Sequence, residues 1–106
     1  MLMVYIASPY TKDPVAGVRQ QLEVADRLMS AGYCPVAPLL SHFQHIYHPR
    51  PYSDWMNIDL EKISRCDIVL RLNGVSPGAD YEVKQAKKLG IPVVHSVEEI
   101  ISAGRI

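Results

Sequence analysis

Glu82 and Asp59 carry the sharpest chemistry in this 106-residue sequence. Glu82 falls in the first turn of a predicted helix, with Ala86 one turn further on. Its side chain therefore borders the buried face of that helix. Asp59 lies three residues after Met56 and four before Ile63, so it edges the apolar stripe of a second predicted helix. Each has a plain reading, since an acid in a helix's first turn is favoured by the dipole alone, by under ~1 kcal/mol. The chemical reading is two acids aimed at one crevice. Such a pair suits cleavage of a glycosidic bond, with one acid as nucleophile and the other as general acid or base.

Ser76-Pro77-Gly78-Ala79 leads directly into the helix of Glu82. Free N–H groups at a helix start, beside a serine hydroxyl, form an anion site. Any strand-to-helix turn also favours Ser and Gly, so the two readings stand side by side. Ser8-Pro9-Tyr10-Thr11 is the corresponding turn after the first strand. It supplies hydroxyls but no glycine, so it is not a dinucleotide fingerprint, and no Walker motif occurs. His42, His45 and His48 are spaced three apart, which a helical loop would place on one side. No cysteine or carboxylate completes a metal set, so the sequence predicts no metal and no cofactor, with His42 as a substrate contact. Trp55 and Tyr52 beside this loop either stack on a base or close the core. Arg19 on the first helix and Arg71 after a strand read either as solvated charges or as ligand contacts.

These groups need a frame, and the order of apolar runs supplies one. Residues 2–7 are rich in β-formers and stop at Ser8-Pro9. Asp13-Pro14 opens a helix whose stripe is Val18, Leu22, Ala25 and Met29, widened by Leu28 and closed by Gly32. Residues 33–37 form a second strand. Residues 39–52 read as a long loop, of a length that usually carries function. Ser53 or Asp54 caps the next helix, with Met56, Leu60 and Ile63 inward. Residues 67–72 form the third strand and 73–78 a turn. Residues 79–89 form a helix with Ala79, Val83 and Ala86 inward. Residues 91–95 form a fourth strand. Ser96 and Glu99 make a capping box for a last helix ending near Gly104.

Strands alternating with helices predict one α/β domain over residues 1–106. It is a three-layer, Rossmann-like (flavodoxin-like) parallel sheet of four to five strands with helices on both faces. Ligands of such sheets bind beyond the carboxyl ends of the strands, where residues 8–13, 39–52 and 73–78 meet.

Composition narrows the class further. With 48% hydrophobic and 21% charged residues, the chain is not disordered, collagenous or a coiled coil. Eleven basic and eleven acidic residues give no net charge, which argues against binding a nucleic-acid polymer. Cys34 and Cys66 form neither a zinc knuckle nor a disulfide framework, and read as reduced, buried thiols. No apolar run approaches the ~20 residues that span a bilayer. The start of the chain reads as a strand rather than a signal peptide. These features predict a soluble, cytoplasmic protein without a membrane partner.

Tyr5-Ile6-Ala7-Ser8-Pro9-Tyr10, Asp59-Leu60-Glu61, Cys66-Asp67-Ile68-Val69-Leu70 and Ser76-Pro77-Gly78-Ala79-Asp80-Tyr81-Glu82 together resemble the nucleoside 2-deoxyribosyltransferase superfamily. The order is most similar to the 2′-deoxynucleoside 5′-phosphate N-hydrolase branch, and Ser41-His42 with Trp55 resembles small bacterial and phage members. The resemblance spans nearly the whole chain. It implies that Glu82 attacks C1′ of the sugar, Asp59 assists the leaving base and Tyr5 orients Glu82. It implies a 5′-phosphate site at Ser76 and Gly78. It also implies homo-oligomers whose sites borrow a neighbour's residue. Ser8-Pro9-Tyr10 departs from the glycine-rich turn of the hydrolase branch, and the histidine loop has no counterpart there.

The reading is an N-glycosidase acting on a (deoxy)nucleoside or nucleoside 5′-monophosphate, by hydrolysis or base transfer. Substrate contacts fall to Ser8, Ser76, Gly78, Ala79, His42, Trp55 and Arg19. Two alternatives stand beside it: a glycohydrolase of NAD or ADP-ribose-like glycosides, and a nucleotide-binding module without turnover.

Overall fold

A computed structural model describes residues 1–103. In chain order the elements are β1 (Met3–Ala7), α1 (Pro14–Ser30), β2 (Cys34–Val36), a 3-10 turn (Pro38–Leu40), α2 (Ser41–Tyr47), α3 (Tyr52–Ile63), β3 (Ile68–Arg71), α4 (Pro77–Lys88), β4 (Val93–Val94) and α5 (Val97–Ala103). All strand pairs are parallel, in the order β2-β1-β3-β4. This is the predicted α/β class with four strands. The expected helix end at Gly104 lies outside the described residues.

The two faces of the sheet follow from strand alternation. Val4 and Ile6 of β1 join Leu70, Leu28 of α1, and Val97 and Ile100 of α5. Tyr5 and Ala7 face the other way, with Val69, Ile63 of α3, and Ala79 and Ala86 of α4. The chain leaves β1 toward β2, then crosses back over β1 to β3. The β1/β3 crevice is therefore the point where the strand order reverses, and α3 and α4 cover its second face.

Local chemistry explains most of the boundaries. Asp13 caps α1, its Oδ1 accepting from Ala16 N at 3.1 Å, with Pro14 in the first turn. Ser96 Oγ accepts from Glu99 N at 3.2 Å, the serine half of the predicted capping box. Cys66 is buried and Cys34 half-buried, and both are free thiols.

Three expectations need correction. In α1, Leu22 and Met29 are exposed (43% and 63%), and the buried positions are Gly17, Val18, Gln21 and Leu28. The cause is Gly17. A Cβ there would lie 2.6 Å from the Pro9 carbonyl oxygen, so the turn after β1 seats on the bare glycine and fixes the helix's rotation. Residues 39–52 are not a loop, because the stretch between Pro38 and Pro49 holds no breaker and winds into the 3-10 turn and α2. Finally, α3 starts at Tyr52 after Pro51, without a side-chain cap, and Asp54 instead pairs with Arg50 at 3.2 Å.

Candidate active site

Tyr5 and Glu82 meet in the interior. The Tyr5 hydroxyl donates to Glu82 Oε2 at 2.5 Å, a buried hydrogen bond between the central strand β1 and helix α4. Tyr5 is fully buried and Glu82 is 7% exposed. Ala79 and Ala86, one turn to either side of Glu82, pack on the sheet, and their small size lets α4 approach closely enough for this bond. On α3, residues Tyr52, Met56, Asp59 and Ile63 share one stripe, since they are spaced four, three and four apart. Ile63 is in the core, so the same stripe brings the half-buried Asp59 toward Glu82.

The protonation of the two acids follows from this burial and proximity. Burial pushes the Glu82 carboxyl up to about 7, the negative charge of Asp59 adds to the rise, and the Tyr5 hydrogen bond and Arg71 oppose it. Burial pushes Asp59 up to about 6, with Lys62 opposing. Burial and then the two carboxylates hold the Tyr5 phenol far above its ordinary range, so it is a fixed donor. Burial alone does not separate the two acids. The Tyr5 hydrogen bond favours the ionised form of Glu82 and opposes the rise, yet leaves that carboxyl at about 7, above the about 6 of Asp59.

The β3–α4 turn is built rigidly around this pair. The Arg71 guanidinium donates to the carbonyls of Leu72 and Gly74 and pairs with Asp80 at 3.0 Å. Gly74, at φ +119, lies against the Pro9 ring, which joins this turn to the one after β1. Ser76 caps α4, its Oγ accepting from Ala79 N at 3.1 Å. Pro77 has no N–H, and Asp80 N already bonds the Ser76 carbonyl at 3.0 Å. Of the N–H groups in that first turn, only that of Gly78 is left over. The turn expected to take an anion thus keeps one free backbone donor, Gly78 N–H, and the Ser76 hydroxyl proton.

The remaining predicted residues are placed as follows. Ser8 is buried, and its Oγ accepts from Gln21 Nε2 at 2.9 Å. His42 Nδ1 meets the Tyr10 hydroxyl at 2.6 Å, which ties α2 to the turn after β1. The Trp55 indole N–H donates to His45 Nδ1 at 2.9 Å, and Arg50 N donates to the same atom at 3.2 Å. Trp55 thereby lines a separate cavity of about 780 Å³ with Arg50, Asn57 and Lys62. Arg19 is exposed, with no hydrogen-bond or ion-pair partner among the described residues. No cluster of three metal-ligating side chains occurs among the described residues, because His42 and His45 have separate aromatic partners.

Two site features escaped the sequence reading. Gln21 is the buried hub behind the site: its Nε2 donates to the Ile6 carbonyl and Ser8, and its Oε1 accepts from Leu39 N. A polar residue on the buried side of a helix gives no apolar period signal. Tyr52 was legible as an aromatic beside the loop, but its place on the Asp59 stripe was readable only with the right start for α3.

Tyr5, Glu82 and Asp59 meet beside the point where the strand order reverses, and the fold around them has solved counterparts. The solved structure of 2-desoxiribosyltransferase from Leishmania mexicana superposes with a TM-score of 0.70 at 19% identity, over 90% of this chain and 63% of that one. The 2-deoxyribosyltransferase from the psychrotolerant bacterium Bacillus psychrosaccharolyticus gives 0.59 at 22% identity, over 86% of this chain and 69% of that one. These likenesses establish the fold. The chain spans less than two thirds of the length of the Leishmania protein. Residues 2–96 match the Domain of unknown function (DUF7768), and the chain belongs to that family. No curated protein matches the sequence.

Proposed function

We propose that this protein cleaves the N-glycosidic bond of a (deoxy)nucleoside or its 5′-monophosphate, by hydrolysis or by transfer to a second base. The observation that carries the reading is the buried Tyr5–Glu82 hydrogen bond with Asp59 beside it. The fold it shares with two 2-deoxyribosyltransferases supports it. A Glu82 oxygen attacks C1′ as the C1′–N bond breaks, through an oxocarbenium-like transition state. The bonding pair leaves with the base nitrogen, which takes a proton from Asp59. Water, or a second base nitrogen, then attacks C1′ and frees the Glu82 carboxylate, and Asp59 recovers the proton. Tyr5 holds Glu82 in one rotamer and favours its ionised form.

On this reading the enzyme needs no cofactor. It works in the cytoplasm as a homo-oligomer, which sedimentation of the purified protein checks. No helix among the described residues is long and apolar enough to cross a membrane. The test of the function is chromatography of a panel of nucleosides and monophosphates, with and without an added second base. Free base, or an exchanged nucleoside, supports the reading. Tight binding without either product assigns a binding module instead.

A further inference from the structure

Gly78 has a second feature that the anion reading does not explain. A Cβ built on it would lie 2.6 Å from the Tyr52 hydroxyl oxygen, 3.7 Å from the Met56 methyl and 3.8 Å from the Tyr52 ring carbon that bears the hydroxyl. The Tyr52 ring therefore reaches from α3 to α4 and sets its hydroxyl on the one residue without a side chain. Any other residue at 78 would displace that oxygen.

The hydroxyl stands in a particular place. Tyr52 precedes Asp59 by seven residues, two turns along the same stripe of α3. Gly78 precedes Glu82 by four residues, about 6 Å along α4. The phenol thus lies on the mouth side of both acids, spanning the gap between the helices that carry them. Burial, followed by the charges of Glu82 and Asp59, raises its pKa, so it is a donor and never a base here. The hydroxyls of Tyr5, Tyr10 and Tyr33 are each hydrogen-bonded, whereas those of Tyr47, Tyr52 and Tyr81 have no partner among the described residues, and of these three only Tyr52 lies against Gly78. Over half of the residue is exposed, so a ligand can reach it from solvent.

We infer that Tyr52 is a substrate-binding residue of this site, that its hydroxyl donates to an oxygen on the sugar side of the substrate, and that Gly78 is glycine to make room for it. This rests on the N-glycosidase reading above. A sugar with C1′ against Glu82 extends along α4 toward Gly78, which brings its far oxygen to the phenol. That oxygen is either a free hydroxyl or one carried by a phosphate, and both accept the same O–H.

The test is a double-mutant cycle of Tyr52→Phe, Gly78→Ala and the pair, assayed on a deoxynucleoside and on its 5′-monophosphate. Tyr52→Phe should raise KM about threefold to tenfold, the worth of one hydrogen bond, with a smaller change in kcat. Gly78→Ala should do the same, because its methyl displaces the hydroxyl. The double variant should be no worse than Tyr52→Phe alone, since the atom that the methyl meets is gone. A larger loss on the nucleoside marks a free hydroxyl, and a larger loss on the monophosphate marks a phosphate oxygen. Effects that multiply in the double variant, an unchanged KM in Tyr52→Phe, or a change only in the ranking of bases would overturn the inference. Calorimetric Kd values for the deoxynucleoside are measured in parallel. Base release without a Tyr52 effect sinks this inference alone. Binding with the same Tyr52–Gly78 coupling but no base release sinks the reaction alone.

Discussion

Gln21 and Glu82 are buried polar side chains on opposite sides of one sheet, and they are treated in opposite ways. Gln21, 1% exposed, is neutral and makes three hydrogen bonds, to Ile6, Ser8 and Leu39. Glu82, 7% exposed, is an acid with one hydrogen-bonding side-chain partner, Tyr5, and a carboxyl pushed up to about 7. A satisfied neutral amide holds three chain segments together and does nothing else. A desolvated acid with free lone pairs carries a free-energy cost, which a cationic sugar centre would relieve. Burial of a polar group is thus architecture when its bonds are complete and chemistry when they are not.

Activity should separate the two most sharply. Glu82→Ala is expected to lower base release by orders of magnitude, because the covalent route has no substitute, while Tm stays within a few degrees, since the orphaned Tyr5 hydroxyl is offset by removal of a desolvated acid. Gln21→Leu is expected to leave kcat within a few-fold but to lower Tm clearly. It orphans a buried donor at Leu39 and an acceptor at Ile6, at about 1–3 kcal/mol each. Steady-state kinetics and thermal melts on both variants check this, and the reverse pattern would break the comparison.

Stability against pH comes next in size. Glu82 has its proton until about 7 when folded and 4.5 when unfolded, and Asp59 until about 6 against 3.8. The folded state therefore binds more protons across this window, and stability falls as pH rises from about 4 to 7, by up to ~1.4 kcal/mol per unit per group. Glu82→Gln should flatten that slope and raise stability above pH 7. Melts from pH 4 to 8 that show the same slope in both proteins would refute the burial account.

Rate against pH gives a smaller effect. With groups near 6 and 7, kcat/KM should be bell-shaped with its maximum at about 6.5, whichever acid gives the proton. Tyr5→Phe removes a bond that lowers the Glu82 pKa, so the profile should move upward as its height falls. A profile that keeps its position would deny Tyr5 its role as donor.

The sequence made the order of elements along the chain, the Asp13 cap of α1 and the Glu82 and Asp59 faces legible, because period and capping are local properties. It misplaced the rotation of α1, since the contact of Gly17 with Pro9 is tertiary. It read residues 39–52 as a loop because prolines and histidines dominate there, although α2 lies between the prolines. The histidine spacing suggested one face, yet His42 turns to Tyr10 and His45 to Trp55. The smallest expected effect follows from those separate partners: adding zinc should leave Tm unchanged, and His45→Ala should cost only about 1 kcal/mol through the bond to Trp55. A zinc-dependent rise in Tm would move the chemistry to α2.

Capture of the sugar on the protein tests the central claim most directly. Wild-type protein is quenched in acid during turnover of a deoxynucleoside, and its peptides are weighed. The account predicts a deoxyribosyl unit on the peptide that holds Glu82, absent in Glu82→Ala. Sugar on the Asp59 peptide, or Glu82→Ala releasing base at the wild-type rate, would contradict it.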